Sequence, residues 1–129
     1  MNASLALFGR IGLSLIFIIS GWGKIAAYAG TQQYMESAGL PGALLPLVIA
    51  LELGGGLAIL TGAFTRWIAL AMAAFSLASA AVFHAHFGDA AQAINFWKNV
   101  AMAGGFLMLA AHGAGTLSLD HLWNKRRNA

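Results

Sequence analysis

The stretch "ALELGGGLAIL", residues 50–60, sets one glutamate among residues that a bilayer accepts. An ionisable side chain deep in an apolar span costs about 2.5–3.5 kcal/mol on insertion scales, so it faces a protein interior or a partner. Glu52 lies roughly 13 Å from the outer end of its apolar run at ~1.5 Å per residue, near the midplane. Lys98 sits about five residues from the outer end of a later run, and Lys24 about three from the outer end of the first. His84 is close to the outer end of the third. Each of four apolar runs thus brings one polar group to the same half. A lysine stem can carry its ammonium toward the carboxylate, so the expected arrangement pairs Glu52 with Lys98 or Lys24, with His84 nearby. Ammonium and imidazole donors in a low-dielectric site hydrogen-bond to ligand oxygens and stabilise developing negative charge, while Glu52 sets their charge and accepts a proton. Plainer roles stand beside these. Lys24 and Lys98 can snorkel to the headgroups, Glu52 can be a buried polar clasp between helices, and His84 can be a hydrogen-bonded helix-end histidine.

Other polar groups support less chemistry. His84 and His86 are two residues apart, which on a helix sets them about 200° apart around the axis, so they do not chelate one ion there. His112 and His121 belong to the opposite end, no axial haem pair emerges, and no metal ligand set is expected. The absence of cysteine excludes a disulfide framework, a thiol relay and a Cys-ligated cluster built from this chain. Arg10 and Arg66 are expected near the opposite, cytoplasmic side, Arg10 snorkelling or hydrogen-bonding between helices and Arg66 anchoring a turn. The triple glycine lacks the lysine and serine of a phosphate loop and reads as a close-packing site. "ESAGLPG" and "GAGTLSLD" read as turns.

The elements that must position these groups follow from composition. The chain has 129 residues, 60% hydrophobic and 9% charged, with a mean hydropathy of +0.75. A water-soluble domain cannot hide that much apolar surface. Four apolar stretches, roughly 5–27, 43–63, 67–87 and 94–112, each approach the ~20 residues an α-helix needs to cross the hydrocarbon. Between them lie 28–42, with a short helix opening at Thr31 and Gly39 before Pro41, the tight turn "TGAFTR" at 61–66, and the loop "FGDAAQAIN" at 87–95. Backbone groups in lipid must bond internally, and short connections make sequential helices antiparallel neighbours. The expected fold is a single all-α domain over 1–129, a four-helix transmembrane bundle running up-down-up-down. Arg66 and the cluster Lys125, Arg126 and Arg127 in a short basic tail (113–129) place both termini in the cytoplasm, and Trp22, Trp67, Trp97 and Trp123 mark span ends. The net charge of +3 is too concentrated in that tail for a nucleic-acid binder.

The ordered set "RIGLSLIFIISGWGKI", "YMESAGLPG", "LELGGGLAILTGAFTRW", "FHAHF", "FWKNVAMAGGFLMLA" and "GAGTLSLD" resembles the DoxX family of small bacterial inner-membrane proteins over nearly the whole chain. The family pattern falls on Arg10, on Gly21 with Lys24, and on Glu52, Arg66, His84 and Lys98. The resemblance implies a multi-pass inner-membrane protein linked to thiosulfate:quinone oxidoreductase or to redox-stress complexes and quinone resistance. The leading expectation is therefore a quinone-associated redox accessory subunit with no covalent cofactor, in which Glu52, Lys98, Lys24 and His84 bind a quinone or a small anion. Turnover is not implied, because no catalytic cofactor motif is present. A second expectation is a non-catalytic scaffold that recruits a redox or stress-response enzyme through the 28–42 segment or the basic tail; the partners expected besides the bilayer are such an enzyme or a homo-oligomer. The third is a small proton-coupled exporter built around Glu52, which the marked charge bias disfavours.

Overall fold

The computed structural model describes residues 2–128, and all regular structure among them is helical. Six helical elements follow in order: α1 (Asn2–Ala26), α2 (Tyr28–Ser37), α3 (Gly42–Thr61), α4 (Thr65–Phe83), α5 (Ala90–His112) and α6 (Leu119–Arg127). α1, α3 and α4 are long and apolar enough to cross a membrane. The 23-residue α5 carries Asn95, Lys98 and Asn99 in its first half, which lowers its apolar character. α3 is not uniform: it opens with a 3-10 turn at Gly42–Leu44 and widens into a π turn at Ala50–Gly54. Glu52 sits on that wide turn, an irregularity that recurs at functional sites.

Caps explain where the helices differ from the apolar runs. The Asp89 carboxylate accepts from Ala91 N at 2.9 Å, so α5 starts at Ala90 rather than near 94. α4 ends at Phe83, not 87, which leaves His84 and His86 in the connection. Their separation around a helix axis therefore does not apply. The segment after 113 is more than a basic tail, because Ser118 Oγ accepts from His121 N at 3.2 Å and starts α6. Arg66 is the second residue of α4 rather than part of the turn. α2 terminates at Gly39, whose φ of +85° permits the paired bonds Leu40 N to Met35 O and Gly39 N to Glu36 O. This is the left-handed ending that glycine favours.

α1 packs along α3, and α4 pairs most extensively with α5. One core joins all four, with Phe17 from α1, Ile59 from α3, Ala69, Met72 and Ala73 from α4, and Ala103 and Phe106 from α5. Phe17 stands 5.5 Å from Phe106 and 6.4 Å from Phe75, ring centre to ring centre. The exterior is more apolar than a water-facing surface. Trp67 is 77% exposed, and Ile19, Leu47 and Met108 also point outward, whereas Arg10, Ser14, Glu52 and Ser76 are buried. Between lipid-facing helices the hydrophobic effect contributes little, so close packing and interhelical hydrogen bonds must hold the assembly. Small residues supply the approach: a Cβ on Gly56 would stand 2.8 Å from Ile18 Cγ1, and one on Gly55 2.7 Å from Met72 Sδ.

Candidate functional site

The site begins with a missing side chain. Gly21 on α1 faces the α3 backbone so closely that a Cβ there would lie 3.0 Å from Leu53 N. One turn further along α1, Lys24 then meets the residue before Leu53. Lys24 Nζ lies 2.9 Å from Glu52 Oε2 and 3.0 Å from Oε1, and also donates to Ser20 Oγ at 2.8 Å. Of the two lysines expected as partners for Glu52, Lys24 makes the pair. Glu52 is 4% exposed, and the Lys24 side chain keeps 25% of its surface open. Such an ion pair offsets much of the cost of a carboxylate in a low-dielectric interior, and each partner makes the other hard to remove alone.

The pair borders a cavity of about 500 Å³ between the helices at the α2 end of the molecule. Lys24, Glu52, His84 and Lys98 all line it. Its remaining wall is mainly apolar, with Phe17 and Phe75 below and Met35 and Leu40 from the α2 side. Tyr34 of α2 stacks on Phe83 with ring centres 5.2 Å apart and an interplanar angle of 17°, forming part of the same wall. α2 therefore does more than connect spans.

Lys98 is exposed, and among the described residues it has no ion-pair or hydrogen-bond partner. Asn95 and Asn99 stand three and one residues from it; all three line the cavity, as the helical spacing of 95, 98 and 99 on one face allows. The sequence reading missed both asparagines, although that spacing around Lys98 was a usable signal. His84 is half-buried, and its Nδ1 lies 2.7 Å from Gln92 Oε1. With the amide oxygen accepting, Nδ1 carries the proton, and Nε2 of a neutral ring then accepts from a ligand. No group of three or more His, Asp or Glu side chains converges on a metal position among the described residues.

Arg10 and Arg66 belong to the other end. Arg10 is 1% exposed and does not snorkel; its guanidinium donates to Leu60 O at 2.9 Å, to Ile59 O at 3.3 Å and to Leu117 O. It thereby supplies a donor to Leu60 O at the end of α3 and a second one to Ile59 O, which also accepts from Gly62 N at 3.2 Å, where a cation also suits the helix dipole. The Asp120 carboxylate accepts from Phe64 N at 2.7 Å and Thr65 N at 2.9 Å, capping α4 from 55 residues away. "GAGTLSLD" is therefore a latch as well as a turn. Nothing local in the sequence signals that reach.

The DoxX family model matches residues 5–85. The chain is similar to Inner membrane protein YqjF of Escherichia coli (strain K12), 53% identical over 93% of this chain and 92% of the relative. It is also similar to Inner membrane protein YphA of the same organism, 43% identical over 90% of this chain and 88% of the relative. No solved structure matches the chain. With apolar helices of membrane length and two curated inner-membrane relatives, the chain belongs to the DoxX family as a multi-pass integral protein of the inner membrane.

Proposed function

We propose that this protein is a quinone-associated redox accessory subunit, built as an up-down-up-down bundle of four membrane-crossing helices with both termini in the cytoplasm. The observation that carries the reading is the mainly apolar cavity of about 500 Å³ bordered by a buried, paired carboxylate and one ammonium without a partner among the described residues. That volume lies within the usual ligand range of about 300–1,000 Å³, and a few polar groups on apolar walls suit a flat molecule with oxygens at its edges. The same ammonium would also serve a small anion arriving from the outer face.

A bound quinone would supply the electron and proton exchange. The chain's own part is to orient and to hold protons. Lys98 donates a hydrogen bond to a ring oxygen, with Asn95 and Asn99 beside it on α5. His84, fixed by Gln92, offers Nε2 to a hydroxyl proton. Lys24 holds Glu52 in place, so the carboxylate sets the local charge without turning toward lipid. The aromatic and aliphatic walls limit water around these groups and strengthen each polar contact.

The test is titration of purified protein in neutral nanodiscs with ubiquinone. Saturable binding is expected, weakened about ten- to hundredfold by Lys98→Ala, in line with one charge-assisted hydrogen bond of about 1.5–3 kcal/mol. Absence of saturable binding, or an unchanged affinity in Lys98→Ala, contradicts the reading. The Lys24–Glu52 pair is internally satisfied, which favours a second reading as a scaffold that recruits a redox or stress-response enzyme. Under that reading Glu52→Gln lowers stability, and a partner co-purifies with the parental chain while no quinone binds.

A further inference from the structure

A second concavity, of about 570 Å³, lies at the opposite end, where α6 folds back against the start of α4. The groups around it have no part in the quinone reading. Arg66 and Arg127 line it, with His112, His121 and Asn124. Neither arginine has a carboxylate partner among the described residues. The acid present is Asp120, whose two oxygens already accept the backbone N–H groups of Phe64 and Thr65. Two guanidinium groups against one carboxylate leave a net positive cleft even with both imidazoles neutral.

The Arg66 guanidinium lies alongside Gly113, whose φ is +80°; a Cβ there would be in ordinary contact, 3.7 Å from Nε and 3.8 Å from Nη2. The cleft is also next to the lipid-facing surface. Trp67 and Trp123 form part of its wall. Trp67 and Leu70 are three residues apart on α4, and Met108 and His112 four apart on α5, so exposed apolar side chains continue down the faces that carry cleft residues. A cationic notch above apolar helix faces matches a phosphate with acyl chains beneath it.

We infer that this cleft binds a phosphate anion, and that its source is the headgroup of an anionic phospholipid, with Arg66 and Arg127 as the paired donors. Guanidinium groups bind phosphate oxygens through charge-assisted, often bidentate hydrogen bonds, a geometry that ammonium does not reproduce. The inference rests on the arginine cleft and on membrane embedding and does not depend on the quinone site.

The experiment is native mass spectrometry of the full chain in neutral detergent, titrated separately with phosphatidylglycerol, phosphatidylcholine and inorganic phosphate. One phosphatidylglycerol is expected to bind well ahead of phosphatidylcholine. Arg66→Gln with Arg127→Gln should weaken that binding at least about tenfold. Lys125→Gln with Arg126→Gln removes the same amount of charge, from the α6 residues just before Arg127, but should change it less than about threefold. Equal losses in both doubles would mean diffuse attraction to a basic surface and would overturn the site. If inorganic phosphate binds with the same arginine dependence and phosphatidylglycerol does not, the phosphate site stands and its lipid source is refuted. Circular dichroism checks that both doubles fold. Should the arginine double fail to fold, the lipid preference of the unaltered chain decides, since equal affinity for the two lipids would overturn the proposal without any variant.

Discussion

At the residue scale, Glu52 is held by what surrounds it rather than by its place in the sequence. Glu52 is 4% exposed beside Lys24, so removing Lys24 leaves a buried carboxylate without its cation. Lys24→Met should therefore destabilise the protein by about 3–4 kcal/mol, the lower part of the range for breaking one side of a buried pair, because Lys24 is itself partly open. Glu52→Gln should cost less, because the Lys24 side chain keeps 25% of its surface open and can turn toward the headgroups. Replacing both, Lys24→Met with Glu52→Leu, should recover most of the loss, since no uncompensated charge then remains. Equilibrium unfolding in mixed micelles measures all three. A double variant no more stable than Lys24→Met would mean that the damage is not electrostatic. Depth in an apolar run was enough to single out Glu52 and both lysines. It could not choose between the lysines, because the choice depends on Gly21 letting α1 approach the backbone of Leu53.

At the scale of elements, two glycines eight residues apart, Gly62 and Gly54, behave differently. Gly62 ends α3 at φ +74°, and a Cβ there would lie 2.4 Å from Ser118 Cβ and 2.7 Å from Arg10 Nη1. Gly62→Ala should cost more than about 2 kcal/mol, from strained backbone together with a clash against the latch. Gly54 has nothing within 4 Å of the corresponding position. Gly54→Ala should be neutral or stabilising by up to about 1 kcal/mol, as expected for an open helical site. Thermal melts of the two variants check the contrast, and similar losses would contradict it. The run "LGGGL" was legible as a packing site, but only Gly55 and Gly56 of the three are tightly enclosed. Helix identity was legible from apolar length, whereas boundaries moved by several residues where Asp89 and Ser118 cap. The reach of Asp120 to α4 and of Arg10 to Leu117 was not legible, since those bonds join residues 55 and 107 apart and depend on the assembled fold. Asp120→Ala should lower stability by about 1–2 kcal/mol, as for loss of a helix cap, and should expose the start of α4 to hydrogen exchange.

At the scale of the whole molecule, the proposed arrangement sets one site at each end: the cavity under α2 outward, and the arginine cleft at the cytoplasmic face. The chain has no cysteine, so single replacements report sidedness without interference. An impermeant maleimide should label Ser37→Cys in intact spheroplasts and Asn128→Cys only after permeabilisation. The reverse pattern would invert the bundle and put the ammonium of Lys98 on the cytoplasmic side. The central claim is that polar groups from α1, α3 and α5, together with His84 at the end of α4, form one ligand cavity. Photolabelling with an azidoquinone in native membranes, followed by peptide mapping, tests it most directly. Label is predicted in α2 around Tyr34, in the last turns of α4 and around Lys98, and excess unlabelled quinone should suppress it. Label spread over the outward faces of the helices, insensitive to competitor and unchanged in Lys98→Ala, would contradict the account.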